Sequence, residues 1–203
     1  MIKLISTAKS NGKGTEVSSS ALTADKLRIL LKDLANELNK LKKRNSPNFE
    51  IYVVGGAAMI LEHELRDSTV DIDAVWSSNL IKECVHKVAD KNGVSDKWCN
   101  FDFKHTASYT PAIMHNCKEW FAYRGLTVYT ANLDLLFCMK LIAGRDKDLP
   151  DLRKIVQTLQ SQGTQVDRPI IDEWLYKYYT KHGKNVEISE LGVAFLNDMF
   201  DKE

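Results

Sequence analysis

The chain predicts an α/β protein of the α+β kind, with a short mixed sheet flanked by helices and a helical C-terminal region. Three patterns predict it. Leu27, Leu30, Leu31, Leu34, Leu38 and Leu41 recur at three- and four-residue spacing, which is the period of an amphipathic helix. The β-rich run FEIYVV stops at Gly55-Gly56, and from residue 133 onward the apolar pattern is helical throughout.

Taken in order, residues 1–21 are expected to form a mobile leader rich in Ser, Gly, Lys and Thr. Within it, NGKGT has part of a phosphate loop's composition but lacks the first glycine and the preceding strand. Thr23 is placed to cap the leucine helix, which should end in Lys42, Lys43 and Arg44, cations suited to a helix C-terminus. After the strand over 49–54 and the glycine pair, residues 57–65 have helical composition. Residues 68–76 then alternate, with Val70, Ile72, Ala74 and Trp76 on one side and Thr69, Asp71 and Asp73 on the other. A helix starting at Leu80 should close at Asn92-Gly93, and residues 127–130 support a later strand. Residues 94–122 give no clear period. Helices are expected over 133–144, from Pro150, over 170–179 and over 188–200. This organisation divides the chain into the leader, a core over 22–130 and a helical region over 131–203.

Composition narrows the classes. Lys and Arg number 28 against 27 Asp and Glu, so no overall field drives the chain onto nucleic acid or an anionic membrane, and any polyanion must meet a local patch. No apolar run approaches the roughly 18 residues of a membrane span, and the start is too weakly hydrophobic for a signal peptide, so a cytoplasmic protein without a membrane partner is expected. The four cysteines, Cys84, Cys99, Cys117 and Cys138, contain no CxxC pair and are expected to stay reduced. Cys99, His105, His115 and Cys117 match no usual zinc spacing.

The chemistry centres on Asp71 and Asp73. Residues two apart on a strand share a face, with Cα atoms about 7 Å apart, and two such carboxylates suit a hard dication. Mg²⁺ commonly takes one or two carboxylates together with substrate phosphates and water. Gly55-Gly56 ends one strand and opens a helix, where missing side chains let a phosphate approach backbone N–H groups. Either feature alone has a structural explanation, as an exposed acidic face or a tight turn. Their succession within about twenty residues is what points to a nucleotide site.

The segment VVGGAAMILEHELRDSTVDIDAV, over 53–75, resembles the glycine and DxD motifs of the polymerase-β-type nucleotidyltransferase superfamily. Within it, the run is similar to bacterial nucleotidyltransferase-like proteins of the toxin–antitoxin type. LLFCMKLIAGRDKDLPDL, over 135–152, resembles a later motif of the same proteins. The resemblance implies a nucleotidyltransferase fold and Mg²⁺-dependent transfer of a nucleoside monophosphate from an NTP such as ATP. It implies that Gly55 and Gly56 cradle the triphosphate, that Asp71 and Asp73 hold metal, and that Lys140 contacts phosphates and takes part in catalysis. Arg66, Thr69, Arg145 and Asp148 are the further nucleotide-binding positions. A third carboxylate is expected from the fuller family pattern, and Asp102 in NFDF is the candidate third metal ligand.

The same resemblance implies RNA, and tRNA ends in particular, as acceptor, and a cognate antitoxin as protein partner. Lys40, Lys42, Lys43, Arg44 and the segment 145–153 are the basic residues available for a rim, and Trp174, Tyr176, Tyr178 and Tyr179 are available for stacking bases. A lysine within so apolar a helix as 133–144 must either snorkel or meet an anion. The rival reading is a catalytically weak or inactive nucleotide-binding or partner-binding module of the same fold. A metal-dependent phosphodiesterase is disfavoured, because no histidine cluster accompanies the aspartates.

Overall fold

The computed structural model describes residues 21–200, so all of the expected leader except Ala21 lies outside the described residues. The elements are β1 (Leu22–Thr23), α1 (Ala24–Leu41), β2 (Phe49–Val54), α2 (Gly55–Leu61), β3 (Ser68–Thr69), β4 (Ile72–Trp76), α3 (Leu80–Asn92), β5 (Cys99–Asn100), β6 (Cys117–Tyr123), β7 (Leu126–Ala131), α4 (Leu133–Ala143), α5 (Leu149–Ser161), α6 (Arg168–Tyr178) and α7 (Glu190–Phe200). The α+β architecture is the one the sequence predicts.

Thr23 caps α1 as expected, its hydroxyl accepting from the Lys26 backbone N–H at 3.5 Å. The leucine stripe is buried from Leu27 to Leu38 and faces α3. Each leucine removed from water there contributes about 1.5–3 kcal/mol. Leu41 stays exposed because the helix ends on it.

The main sheet has the order β5-β4-β2-β7-β6. Its centre, β2, pairs antiparallel with β4 and parallel with β7, so the sheet is mixed. The parallel pairs need long connections, and the helices that provide them supply the flanking layer. At the edges, β5 lies parallel to β4 and β6 antiparallel to β7.

The strand expected over 68–76 is two strands. Ser68 and Thr69 pair with β1, whereas residues from Asp73 onward pair with β2. The chain bends between the two sheets, which leaves Val70 62% exposed while Ile72 and Ala74 are fully buried. Within 94–122 the structure forms β5, two 3₁₀ turns (Asp102–His105 and Pro111–His115) and β6. A register irregularity between Glu119 and Phe121 breaks the two-residue period of β6, which hides that strand from a periodicity reading.

Nine of the eleven residues of α4 are buried, and α5, α6 and α7 pack around it. Asp167 caps α6 by accepting from the Ile170 N–H at 3.0 Å, and Pro150 occupies the first turn of α5. One core of buried residues runs from Leu22 to Leu196. The four cysteines are free thiols. Cys99 and Cys117 lie in the two opposite edge strands, about 19 Å apart at the usual strand spacing, and cannot share an ion. Among the described residues no helix is long and apolar enough to cross a membrane.

Candidate active site

The antiparallel register of β2 and β4 sets Asp73 opposite Val54, beside the turn where β2 becomes α2. Gly55 has φ +65°, a left-handed conformation that glycine adopts without strain. A Cβ built on Gly55 would lie 3.2 Å from Asp73 Oδ2. A Cβ on Gly56 would lie 2.6 Å from Arg66 Nη1 and 2.9 Å from Thr69 Oγ1. The glycine pair thus lets a carboxylate, a guanidinium and a hydroxyl close directly onto the backbone.

The Asp73 carboxylate is half-buried and has no hydrogen bond or ion pair among the described residues. Burial, and then the neighbouring Asp71 charge, raise its pKa to about 6, while Arg145 and Lys147 pull the other way. Asp71 lies just before β4, and its Oδ2 accepts from Asn100 Nδ2 at 3.1 Å. Asn100 stands opposite Asp73 in the parallel β4–β5 register. It stands beside the aspartates, and no sequence signal distinguishes it.

Asp102 does not complete a triad. Strand β5 ends at Asn100, and Asp102 opens a 3₁₀ turn with its side chain 75% exposed, 3.7 Å from Lys97. Its charge still reaches Asp73 and helps raise that pKa. Among the described residues no three His, Cys, Asp or Glu side chains gather as a metal cluster.

Lys140 meets anions rather than snorkelling. It is only 4% exposed, and its ammonium donates to Asp148 Oδ1 at 3.0 Å and Asp151 Oδ2 at 2.6 Å. Arg145 reaches Asp148 through Nε at 2.7 Å and Nη2 at 3.2 Å, a bidentate geometry. Arg66 Nε lies 3.4 Å from Asp151 Oδ1. Burial alone would raise the pKa of Asp148, but the Arg145 guanidinium and the Lys140 ammonium outweigh it and hold the carboxyl below its usual value. Asp148 makes no side-chain cap to α5, so its place is in this network. Three cations and two carboxylates leave one net positive charge facing the glycine turn. These side chains add their charge to the free N–H groups at the start of α2.

A cavity of about 230 Å³ joins these parts, and Phe103, Ser108, Leu136, Met139 and Ile142 line it together with Gly55, Asp73, Lys140 and Arg145. The sequence did not signal Phe103, Thr106 or Ser108, since they come from the segment without a period. Ser108 is held in place by its carbonyl, which accepts from Tyr179 Oη at 2.7 Å. A dication fits the opening. Asp73 offers an unpartnered carboxylate there, the missing Gly55 side chain leaves its Oδ2 uncovered on that side, and Asp71 stands two residues before it with Oδ2 held by Asn100. With only two carboxylates at hand, further ligands would come from phosphate and water.

Other expected residues lie elsewhere. Lys42 donates to Asn48 Oδ1 at 2.6 Å, at the start of β2. That is the far end of a six-residue strand from the glycine turn, about 17–20 Å away. Arg153 pairs with Asp198 at 3.3 Å. Tyr178 and Tyr179 are fully buried and belong to the core, where Tyr178 donates to Asp134, so they present no face to a base. Trp174 packs edge-on against Phe137, and of this group only Tyr176 is exposed.

A mixed sheet that sets a glycine turn beside paired aspartates, with a cationic network across the opening, defines a nucleotidyltransferase-like protein. The chain belongs to the family described as nucleotidyltransferase of unknown function (DUF6036), whose model matches residues 30–187, most of the chain. No curated protein and no solved structure matches it.

Proposed function

We propose that the protein transfers a nucleoside monophosphate from an NTP to an acceptor, with Mg²⁺ held by Asp71 and Asp73. The observation that carries this reading is the half-buried, unpartnered Asp73 carboxylate packed against Gly55, with Lys140 and Arg145 on the wall of the same cavity. A bound Mg²⁺ would offset the charge of the aspartate pair and of the triphosphate. The residues of the chain do the rest. Gly55 and Gly56 admit the phosphates, Arg66 and Arg145 place positive charge beside them, and Lys140 fixes Asp148 and Asp151 so that both arginines are aimed. The apolar part of the cavity wall takes the nucleoside and excludes water. Positioning and electrostatics of this kind supply most of the acceleration in phosphoryl chemistry. Lys140 acts here mainly as a positioning residue. An RNA acceptor, a toxin role and an antitoxin partner belong to the same proposal and rest on the motif resemblance.

The absence of a three-carboxylate cluster among the described residues favours a second reading, a nucleotide-binding module with little or no turnover. Calorimetry and a transfer assay separate the two. Asp71→Asn with Asp73→Asn should abolish Mg²⁺-dependent ATP binding. Unchanged binding in that double variant would refute both readings. Binding by the parent protein without label transfer to RNA or protein would leave the module.

A further inference from the structure

The polar side chains that line the Gly55 cavity are Asp73, Lys140, Arg145, Thr106 and Ser108. The first three are charged and belong to the acid pair and the cationic network described above. The remaining side chains of the lining are apolar. A nucleobase carries polar groups on its edge, and burying one of them without a partner is costly. Thr106 and Ser108 are the uncharged side chains of the lining that can meet such a group.

Their hydroxyls have no proton to spare. Thr106 Oγ1 donates to the Phe103 carbonyl at 2.7 Å, and Thr106 Oγ1 and Ser108 Oγ lie 3.0 Å apart. A hydroxyl carries one proton and two lone pairs. With the Thr106 proton on Phe103, the bond between the two hydroxyls is donated by Ser108. The chain of bonds therefore runs one way, from Ser108 to Thr106 to the carbonyl, and leaves both oxygens as acceptors. The surrounding backbone fixes this direction. The Thr106 N–H also donates to the Phe103 carbonyl at 2.9 Å, and the Tyr109 N–H donates to the Thr106 carbonyl at 3.3 Å. The Ser108 carbonyl accepts from the buried Tyr179 Oη at 2.7 Å.

We propose that Thr106 and Ser108 select the base of the triphosphate, accepting from an exocyclic amino group and rejecting an oxo group in its place; this rests on the nucleotidyl-transfer reading above. An amino group projects from the ring and brings N–H to the oxygens. An oxo group sets lone pairs against lone pairs. A ring N–H beside it gives no escape, because with the two oxygens 3.0 Å apart the oxo group is pressed onto one as the N–H reaches the other. Adenine carries the amino group where hypoxanthine carries the oxo group, and cytosine and uracil differ in the same way. Sites built to hydrogen-bond one partner discriminate strongly against an analogue that leaves them unpaired.

The test is the calorimetric affinity of the whole chain, with Mg²⁺, for ATP, inosine triphosphate, CTP, UTP and dATP. Within each ring size that binds, the amino member should bind at least tenfold more tightly, ATP over inosine triphosphate and CTP over UTP. Two variants separate base selection from a structural role, because a ratio of affinities within one protein does not move with partial unfolding. Ser108→Ala should narrow the ratio at least threefold by weakening the amino member. Thr106→Val frees the Ser108 proton, so Ser108 can donate, and the ratio should narrow through a gain for the oxo member. Equal parent affinities within a pair would overturn the proposal, as would a ratio unchanged in both variants. ATP and inosine triphosphate binding alike, with dATP at least tenfold weaker, would overturn it by assigning the two oxygens to the ribose. A parent that binds none of the triphosphates refutes the nucleotidyl-transfer reading and this proposal with it, whereas equal binding within a pair refutes base selection alone.

Discussion

Asp73 Oδ2 lies 3.2 Å from the point where a Cβ on Gly55 would stand, so the Asp73 carboxylate packs against the glycine turn across a missing side chain. Gly55→Ala would meet two penalties, the cost of a left-handed conformation and displacement of Asp73. The first is about 1–2 kcal/mol. The expected result is a variant destabilised by that amount or slightly more in urea and at least tenfold weaker for Mg²⁺-ATP. Parental affinity in Gly55→Ala would show that the turn does not shape the site.

The raised pKa of Asp73 predicts a pH dependence with a defined sign. Its folded value of about 6 exceeds the unfolded 3.8. The folded state therefore binds the proton more tightly, and this stability is fully present below about 3.8 and lost as pH rises through 6. After allowance for solvent screening the effect is about 1–2 kcal/mol. Asp73→Asn should remove this part of the pH dependence and raise the thermal midpoint of the metal-free protein at pH 7.5. A midpoint difference from the parent that is the same at pH 4.5 and pH 7.5 would argue against it. In the parent, Mg²⁺-ATP affinity should fall as pH is lowered through 6.

Removing the Lys140 charge should damage folding before it damages binding. Lys140→Met leaves Asp148 and Asp151 buried beside each other, with only Arg145 and Arg66 to balance them. Breaking a buried pair in this way typically costs about 3–5 kcal/mol. Denaturant titration should show a loss of that size. If the loss is below 1 kcal/mol and triphosphate affinity falls strongly, Lys140 contacts phosphate directly. Arg145→Ala, at a half-exposed position, should weaken ATP with a smaller loss of stability.

Thr130 offers the opposite case. It is buried in β7, and its hydroxyl has no hydrogen-bond partner among the described residues. A buried hydroxyl without a partner costs about 1–3 kcal/mol. Thr130→Val keeps the shape and removes the cost, so the thermal midpoint should hold or rise. A fall of several degrees would mean that water or another group satisfies the hydroxyl.

What the sequence determined by itself was local. The leucine period of α1, the strand that runs into Gly55-Gly56, the two-residue spacing of Asp71 and Asp73 and the apolar run of α4 follow from backbone geometry, which ties sequence spacing to direction in space. These were enough for the α+β class and for the acid pair and glycine turn of the site. Tertiary structure decided which groups meet. Periodicity says that Lys140 sits on an apolar helix; only the packing of α4 against the start of α5 brings Asp148 and Asp151 to its ammonium. Tyr178 and Tyr179 close the aromatic run at the end of α6 that the sequence offers for stacking, yet packing against α4 and the segment near Ser108 buries both. Register between β4 and β5, set by hydrogen bonds to strands distant in sequence, put Asn100 and not Asp102 beside the aspartates. Lys42 to Arg44 and the glycine turn flank the same strand, and the length of that strand holds them apart. Charge interactions depend on distance and burial, and neither is a property of one segment.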